Sequence, residues 1–257
     1  TFEISGAKVI MRLDNLPRFS TRCGRSSVAA SYVGGKKGRE DGSAVTKIFS
    51  HGSRRGIGKT ASEQCGDVIS AFMTDDGRFF MLISDGMGSG EVARETSSFA
   101  AGFVERALSH GASKETVLKL LSEAIRRRGE ECSASVDLFE FDLICGSATF
   151  LKSGAAPSFV KRGSSIFRLR SETAPIGLMR RIDTERIAVE VRGEDFVIML
   201  SDGICGCAED TPWLLELLAK PAPTEPRAYA DLILREAKAH TGCRDDMSVI
   251  VLKIEKI

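Results

Sequence analysis

The spacing of apolar residues changes near residue 130, and this change restricts the fold more than any other feature of the sequence. Over residues 92–108 and again over 117–125, apolar side chains recur at helical spacing, which predicts two helices. Gly111 ends the first helix and Ser113 caps the second, so the pair is predicted to form an αα-hairpin. Beyond Ser133 the apolar residues form short runs between turns, which predicts β-strands.

These strand-like runs are separated by tight turns, which favours antiparallel pairing of neighbouring runs. By this rule, residues 187–191 and 196–201 should pair across the turn at Gly193. Strands in the middle of the chain, with paired helices outside them, predict an α+β fold in which two antiparallel β-sheets pack together and helices cover their faces. The predicted strands span residues 78–84, 136–144, 148–152, 159–161, 166–169, 187–191, 196–201 and 247–254, and two later helices span 213–218 and 228–239.

The first 60 residues differ in composition from the rest of the chain. They hold 12 Lys/Arg against 4 Asp/Glu, whereas residues 61–257 hold 24 against 31. We therefore divide the chain into a basic, Gly/Ser-rich segment, residues 1–60, and a domain spanning residues 61–257. A short strand at residues 9–13 and a long loop or insertion at 22–58 are predicted within the segment. Its charge is typical either of a solvated loop or of a surface that contacts a membrane, nucleic acid or an acidic partner.

The net charge and the cysteine content limit the classes of partner and the cellular compartment that the chain is suited to. The formal net charge of +1 argues against nucleic acid as a partner of the chain as a whole. Seven scattered cysteines form no CxxC pair, which is typical of reduced thiols in the cytoplasm. No apolar run approaches the roughly 18 residues of a membrane span, so we predict a cytoplasmic chain. Because the chain begins at Thr1, it is also open to being the soluble C-terminal part of a longer, membrane-anchored protein.

Two segments share one form, an apolar run that enters Ser-Asp-Gly. They are MLISDGMGSG and IMLSDGICG, and each places an aspartate, Asp85 or Asp202, where a strand leaves the core. Asp67 and Asp245 stand just ahead of predicted strands. A single Asp-Gly is most often a turn. Four aspartates at strand ends in one domain instead favour a shared site for a hard divalent cation such as Mg²⁺ or Mn²⁺.

The motifs around these aspartates occur in the order seen in PP2C-type (PPM) protein phosphatases. The ordered motifs are SDGMGSGEVA, SGAAPSFVKRG, APIGL, MLSDGI and GCRDDMSVIVL. Over about residues 62–257 the chain resembles these enzymes, and more narrowly the phosphatase domain of the stage II sporulation protein E family. The resemblance implies a PP2C-like β-sandwich and a metal-dependent serine/threonine phosphatase.

The resemblance also implies a role for each aspartate. Asp85 should bridge two Mn²⁺ or Mg²⁺ ions that sit between the sheets, and the backbone carbonyl of Gly86 should help to hold one of them. Asp202 and Asp245 should ligate the other ion. Asp67 matches an acidic residue that often acts through water, although the Val-Ile-Ser after it departs from the polar residues of the family motif. The predicted catalytic residues are thus Asp67, Asp85, Asp202 and Asp245, and the predicted metal-binding residues are these four and Gly86.

The same resemblance suggests a substrate. It implies a phosphoserine on an anti-sigma-factor antagonist protein, whose dephosphorylation activates a sporulation sigma factor. Two alternatives stay open: a catalytically weak regulatory module that binds the partner, and the same phosphatase chemistry in general stress signalling. The αα-hairpin is a candidate surface for a partner or a homodimer, but an amphipathic stripe more often packs on its own sheet.

Two further motifs point to other chemistry but fit it poorly. Residues 52–60 resemble a Walker A loop, yet Ser53 stands where the motif needs glycine and no long apolar helix follows. Cys205-Gly-Cys207 lacks a second ligand pair at zinc spacing. We therefore predict neither an NTPase nor a zinc site.

Overall fold

The computed structural model describes residues 66–88, 91–129, 132–205, 211–241 and 245–255, and upstream of these it describes four strands. The strands are β1 (Phe2–Ile4), β2 (Ala7–Val9), β3 (Ser27–Val33), β4 (Lys47–Gly52), β5 (Asp67–Met73), β6 (Arg78–Gly86), β7 (Ala134–Asp142), β8 (Ala148–Ser153), β9 (Ser158–Arg162), β10 (Ser165–Leu169), β11 (Glu185–Val189), β12 (Phe196–Leu200) and β13 (Val249–Glu255). The helices are α1 (Glu91–Ser109), α2 (Lys114–Arg126), α3 (Asp202–Cys205), α4 (Pro212–Ala219) and α5 (Pro226–Thr241).

Two sheets form the body of the protein. One contains five antiparallel strands in the order β11-β8-β7-β6-β5. The other contains six strands in the order β10-β9-β12-β13-β3-β4. Its pairs are antiparallel except for β13 with β3, which run parallel. This arrangement confirms the predicted α+β sandwich.

Apolar side chains from both sheets form one layer between them. In β6, Phe79, Met81 and Ile83 belong to this layer, whereas Phe80 and Leu82 pack with the helices on the outer face. Successive side chains of a strand point to opposite faces, so a strand covered on both sides needs an unbroken apolar run. The six-stranded sheet contributes Val160, Val197, Met199, Ile250, Leu252 and Ile254 to the same layer.

Paired helices cover the outer faces of the sandwich. Apolar residues of α1 and α2 pack against the five-stranded sheet, and those of α4 and α5 pack against the six-stranded sheet. Ser113 caps α2 as predicted, because its hydroxyl oxygen accepts the Thr116 N–H at 3.3 Å. Among the helices of the described chain, none combines the length and the apolar character that crossing a bilayer requires.

The predicted hairpin between residues 187–191 and 196–201 is wrong. β11 pairs with β8 in the five-stranded sheet, whereas β12 pairs with β9 and β13 in the other sheet. The segment between them crosses the sandwich, and Asp195 holds it by accepting the Arg192 N–H at 2.8 Å and an Arg162 side-chain N–H at 2.7 Å. A turn motif shows that the chain reverses but does not show which sheet receives the next strand.

The N-terminal region differs from the prediction in part. The loop predicted at residues 22–58 contains β3 and β4, which extend the six-stranded sheet beyond β13. Of the strand predicted at residues 9–13, Val9 belongs to β2, and residues 10–13 lie outside the described residues. Most of the Walker-like segment, residues 53–60, lies outside the described residues. The division of the chain at residue 60 stays a prediction.

Candidate metal centre

Asp67 and Asp85 face each other at one end of the five-stranded sheet. Asp67 is the first residue of β5, and the antiparallel register places it directly opposite Asp85 near the end of β6. Cβ atoms of residues paired in this way lie about 5 Å apart. Both side chains point into the layer between the sheets, because Ile69 and Ile83, two residues away on each strand, belong to that layer.

The six-stranded sheet brings the other acids to the same end. Asp202 begins α3 one residue after β12, and Asp245 and Asp246 precede β13. Because β12 and β13 pair with Leu200 opposite Val249, the C-terminal end of β12 and the entry to β13 are adjacent. This junction is closed by two hydrogen bonds, Ser201 N–H to the Ser248 carbonyl at 2.9 Å and Ser248 N–H to the Ser201 hydroxyl at 2.8 Å.

A hydrogen bond joins the two sheets at this point. The Gly66 N–H, next to Asp67, donates to the Asp246 carboxylate at 2.7 Å. A Cβ placed on Gly66 would stand 3.3 Å from an Asp85 carboxylate oxygen and 3.8 Å from the Asp246 carboxylate. Oxygens of the Asp85 and Asp246 carboxyl groups, which come from different sheets, therefore both lie within 4 Å of one position beside Gly66.

Two glycines allow the close approach of these segments. A Cβ on Gly86 would stand 1.8 Å from the Ala93 carbonyl oxygen, so only glycine lets the first turn of α1 pack against the end of β6. A Cβ on Gly203 would stand 2.0 Å from the Asp246 carbonyl oxygen. In each SDG motif, the glycine after the aspartate thus allows a neighbouring segment to pack close to the carboxylate.

The carboxyl groups raise one another's pKa. Burial raises the pKa of Asp67 to about 7, with smaller contributions from the charges of Asp246 and Asp202 and an opposing effect of the Ser248 and Ser201 hydroxyls. Burial and then the charges of Asp67 and Asp202 raise the pKa of Asp85 to about 9. The pKa of Asp202 is raised as well, by burial and by the charge of Asp245. Such mutual repulsion is what a bound cation relieves.

The donor chemistry of the site fits Mg²⁺ or Mn²⁺. The convergent groups are carboxylates, and the Gly86 carbonyl oxygen lies 3.7 Å from the Cβ position of Gly66. Within the described residues, no group of three or more His, Cys, Asp or Glu side chains already encloses a position for an ion. The structure therefore brings the predicted acids together without fixing a coordination geometry, and the individual ligand roles stay predictions.

Asp245 and Asp246 occupy different surroundings. Asp245 is exposed, and its carboxylate accepts the N–H of Asp246 at 2.9 Å. Its charge acts on both Asp202 and Asp85. Asp246 instead uses a carboxylate oxygen to hold the Gly66 N–H at 2.7 Å. Each carboxylate thus accepts one backbone N–H, Asp245 from its own neighbour and Asp246 from the start of β5 in the other sheet.

A buried ion pair lies beneath the site and was not predicted from the sequence. The Lys152 ammonium donates to the Asp137 carboxylate at 2.6 Å and to the Ser158 hydroxyl at 2.9 Å, and Ser158 also donates to Asp137. Asp137 stands two residues from Ser135, whose hydroxyl accepts the Asp85 N–H at 3.2 Å. The available signal was the presence of charged residues inside the apolar runs VDLFEF and ATFLKS, since charges in buried strands are normally paired.

Comparison with known proteins identifies the family. The stage II sporulation protein E (SpoIIE) family model matches residues 75–255. The chain belongs to this family. The matched region contains Asp85, Asp202 and Asp245 and begins after Asp67. The stage II sporulation protein E of Priestia megaterium is 29% identical over an alignment of 197 residues that covers 74% of this chain and 34% of that protein. The chain thus spans about a third of the length of this curated relative.

Solved structures of SpoIIE-family and related proteins share the fold. The PP2C phosphatase domain of SpoIIE from Bacillus subtilis, solved with a fragment of its regulatory domain, matches with a TM-score of 0.67 and 26% identity over 90% of this chain and 64% of that chain. RsbX in complex with magnesium matches with a TM-score of 0.59 and 18% identity over 77% of this chain and 90% of that chain. At 18% identity the likeness to RsbX concerns the fold alone. The resemblance to PP2C-type phosphatases inferred from the motifs is confirmed.

Proposed function

We propose that this chain is a divalent-metal-dependent protein phosphatase domain that hydrolyses phosphoserine. The observation that carries the proposal is the convergence of Asp67, Asp85 and Asp202 from strand ends of two different sheets. Burial and mutual charge raise the pKa of each. Carboxylates buried beside one another lower the stability of the folded protein. A bound cation is the simplest reason for their presence.

The residues that would hold metal are Asp85, the Gly86 carbonyl, Asp202 and Asp245, with Asp67 beside them. Two Mn²⁺ or Mg²⁺ ions are proposed, and divalent ions of this kind supply a water nucleophile at neutral pH and neutralise charge on phosphoryl oxygens. The protein's own part is to orient these donors. The Ser135 hydroxyl holds the Asp85 backbone and the Asp246 carboxylate holds the Gly66 backbone beside Asp67.

A phosphatase that works through a phosphocysteine is not supported by the sequence. No cysteine in the chain has, six positions later, the arginine of a Cys-x5-Arg phosphate loop. In the described region, Cys205 lies near the site, but burial raises the pKa of its thiol to about 12. A thiol in that state is a poor nucleophile at neutral pH.

The proposed physiological substrate is a phosphoserine on an anti-sigma-factor antagonist, so that dephosphorylation would activate a sporulation sigma factor. Membership of the SpoIIE family supports this choice. General stress signalling is the second candidate, because the same phosphatase chemistry would serve there and a structure from the bacterial stressosome shares the fold, with a TM-score of 0.60. Comparing kcat/KM for phosphorylated antagonists of the two kinds would distinguish these substrates.

Turnover of a small phosphate ester tests the activity itself. With Mn²⁺ present the chain should release p-nitrophenol from p-nitrophenyl phosphate, and excess EDTA should stop it. Asp85→Asn should remove turnover in a protein that is still folded by circular dichroism. Full activity in excess EDTA would overturn the metal-dependent mechanism, and no activity of the unmodified chain with any divalent ion would favour the regulatory-module alternative.

A further inference from the structure

Exposed apolar side chains are concentrated near the metal centre. The described part of the chain exposes seven large apolar residues, Met87, Val92, Leu120, Ile144, Phe167, Leu178 and Met179. Met87 directly follows Gly86, and Val92 adjoins Ala93, whose carbonyl contacts the Gly86 position. Leu178 and Met179 are 61% and 54% exposed and lead into the exposed Arg180 and Arg181. We call Met87, Val92, Leu178, Met179, Arg180 and Arg181 the rim patch.

The register of the sheet places this patch beside the candidate site. Gly86 is opposite Ala134, and Ala134 pairs in turn with Ile176 through two backbone hydrogen bonds of 3.0 and 2.8 Å. Neighbouring strands lie about 4.8 Å apart, so the Ile176 backbone is roughly 10 Å from that of Gly86. Leu178 follows two residues later, and two residues span at most about 7 Å, so its backbone lies within roughly 17 Å of that of Gly86.

The loop that carries Leu178 to Arg181 is fixed at its base. The Ser153 hydroxyl lies 2.8 Å from the Ala174 carbonyl and 2.7 Å from the Asp183 carbonyl, which ties together the two ends of the loop. The Ala174 N–H donates to the Asp183 carboxylate at 3.1 Å. Gly177 has φ +93, and a Cβ there would stand 2.5 Å from Ile125. The base is therefore held while its tip stays exposed.

The two arginines of the tip have no partner within the described chain. Neither Arg180 nor Arg181 makes an ion pair or hydrogen bond with another described residue. Arg78, Arg126 and Arg162, by contrast, each pair with a carboxylate. Apolar residues next to cationic ones match a polypeptide that offers apolar and acidic side chains. The mouth of a phosphatase receives such a chain on each side of the phosphoserine.

We propose that the rim patch binds the polypeptide flanking the phosphoserine of the substrate and selects acidic and apolar residues there. This inference rests on the proposed phosphatase function and adds to it the local sequence of the substrate. An extended peptide advances about 3.3 Å per residue, so the patch would contact residues about three to five positions from the phosphoserine. The selected features are an acidic side chain for Arg180 and Arg181 and an apolar one for Leu178 and Met179.

Two phosphoserine peptides and one small ester test the proposal. One peptide carries Asp and Leu three to five residues from the phosphoserine, and the other carries Lys in place of Asp. The unmodified chain should prefer the acidic peptide, and the double variant Arg180→Glu/Arg181→Glu should lower kcat/KM for it about tenfold or more, chiefly by raising KM. Hydrolysis of p-nitrophenyl phosphate, which is too short to contact the patch, should change less than twofold. Raising the salt concentration should reduce the preference.

A matched control distinguishes the loss of binding at the rim patch from the effect of a change in the net charge of the protein. Arg227→Glu/Arg235→Glu makes the same charge change on exposed residues of α5, on the other sheet, and should leave the preference for the acidic peptide intact. If the rim double variant hydrolysed the acidic peptide as well as the unmodified chain, the proposal would be wrong. An equal loss on p-nitrophenyl phosphate would also overturn it, because the arginines would then act on the phosphate.

Failure of the proposed phosphatase function would give a different result from failure of the docking inference. An unmodified chain that hydrolyses neither peptide nor ester would contradict the phosphatase assignment. Fluorescence anisotropy with the labelled acidic phosphopeptide would still decide the docking inference. Binding that the rim double variant weakens about tenfold, but the α5 double variant does not, would support it. Binding that neither variant changes would contradict it.

Discussion

Two adjacent acids at the entry to β13, Asp245 and Asp246, have different surroundings. Asp246 accepts the Gly66 N–H and so fixes the start of β5 next to β13. Asp245 is exposed and lies close enough to Asp202 and Asp85 for its charge to act on both. A carboxylate that only accepts a backbone N–H can be replaced by an amide oxygen, whereas an anionic metal ligand cannot.

Substitution by asparagine should therefore separate the two acids. We expect Asp245→Asn to remove nearly all turnover at saturating Mn²⁺, because it takes a negative ligand from the metal. Asp246→Asn should retain much of it, because the amide oxygen still accepts the Gly66 N–H. Initial rates with p-nitrophenyl phosphate give the ranking. The reverse ranking, with both variants folded, would show that the ligand is Asp246.

The raised pKa values of Asp67 and Asp85 predict how the metal-free protein responds to pH. Each has a folded pKa, about 7 and about 9, above that of an unfolded aspartate. The folded state then holds more protons than the unfolded state above about pH 4, so stability falls as pH rises towards 9. We expect the urea midpoint in EDTA to be lower at pH 8.5 than at pH 6, and Mn²⁺ to remove this loss.

A single neutral substitution provides the control for that measurement. Asp67→Asn removes one buried charge and weakens the repulsion on Asp85, so its midpoint in EDTA should fall less between pH 6 and pH 8.5. A midpoint in EDTA that is as high at pH 8.5 as at pH 6 in the unmodified chain would contradict the mutual repulsion of these acids.

At the level of strands and helices, the largest unpredicted feature is the link between sheets beneath the site. Lys152 and Asp137 are 0% and 2% exposed and lie opposite each other on β8 and β7, and Ser158 joins them from β9 of the other sheet. Among the residues that the structure describes, the Lys152 ammonium donates hydrogen bonds to the Asp137 carboxylate and the Ser158 hydroxyl. Loss of the lysine would leave a carboxylate in the core with its main partner gone.

Removal of this lysine should be costly to the fold. We expect Lys152→Met to lower the free energy of unfolding by about 3–5 kcal/mol, measured by urea denaturation, because the Asp137 charge stays buried. Ser158→Ala should cost about 1–2 kcal/mol, because the ion pair remains. The double variant Lys152→Met/Asp137→Leu should recover much of the loss. A double variant less stable than Lys152→Met would contradict this explanation.

The spacing of apolar residues predicted most of the helices and strands. It could not predict which distant segments pair with one another. The αα-hairpin and the Ser113 cap follow from local spacing and are present. β5 was not predicted, because DVISAFM directly follows a polar, glycine-containing stretch and lacks a clear turn before it. The placement of β11 and β12 in different sheets, and the contact of Gly66 with Asp246 across 180 positions, depend on tertiary packing alone. Asp85, Asp202 and Asp245 could be singled out because each stands beside a predicted strand, whereas Asp67 heads β5 itself, and their roles as metal ligands stay predictions.

For the molecule as a whole, the candidate centre depends on both sheets at once. The five-stranded sheet supplies Asp67 and Asp85, and the six-stranded sheet supplies Asp202, Asp245 and Asp246. Metal that binds only the folded state should raise the unfolding temperature of the whole domain in a concentration-dependent way. The apolar layer between the sheets ends where these acids begin. The distance between the acids of one sheet and those of the other is therefore determined by how the two sheets pack.

Calorimetric titration of Mn²⁺ into the metal-free chain tests this central claim most directly. The unmodified chain should bind the metal, and Asp85→Asn and Asp202→Asn, which alter different sheets, should each weaken binding by about tenfold or more. Glu216→Gln on α4 removes an acid outside the site and should bind as the unmodified chain does. Equal Mn²⁺ affinity in the unmodified chain, Asp85→Asn and Asp202→Asn would contradict a shared metal centre built from both sheets.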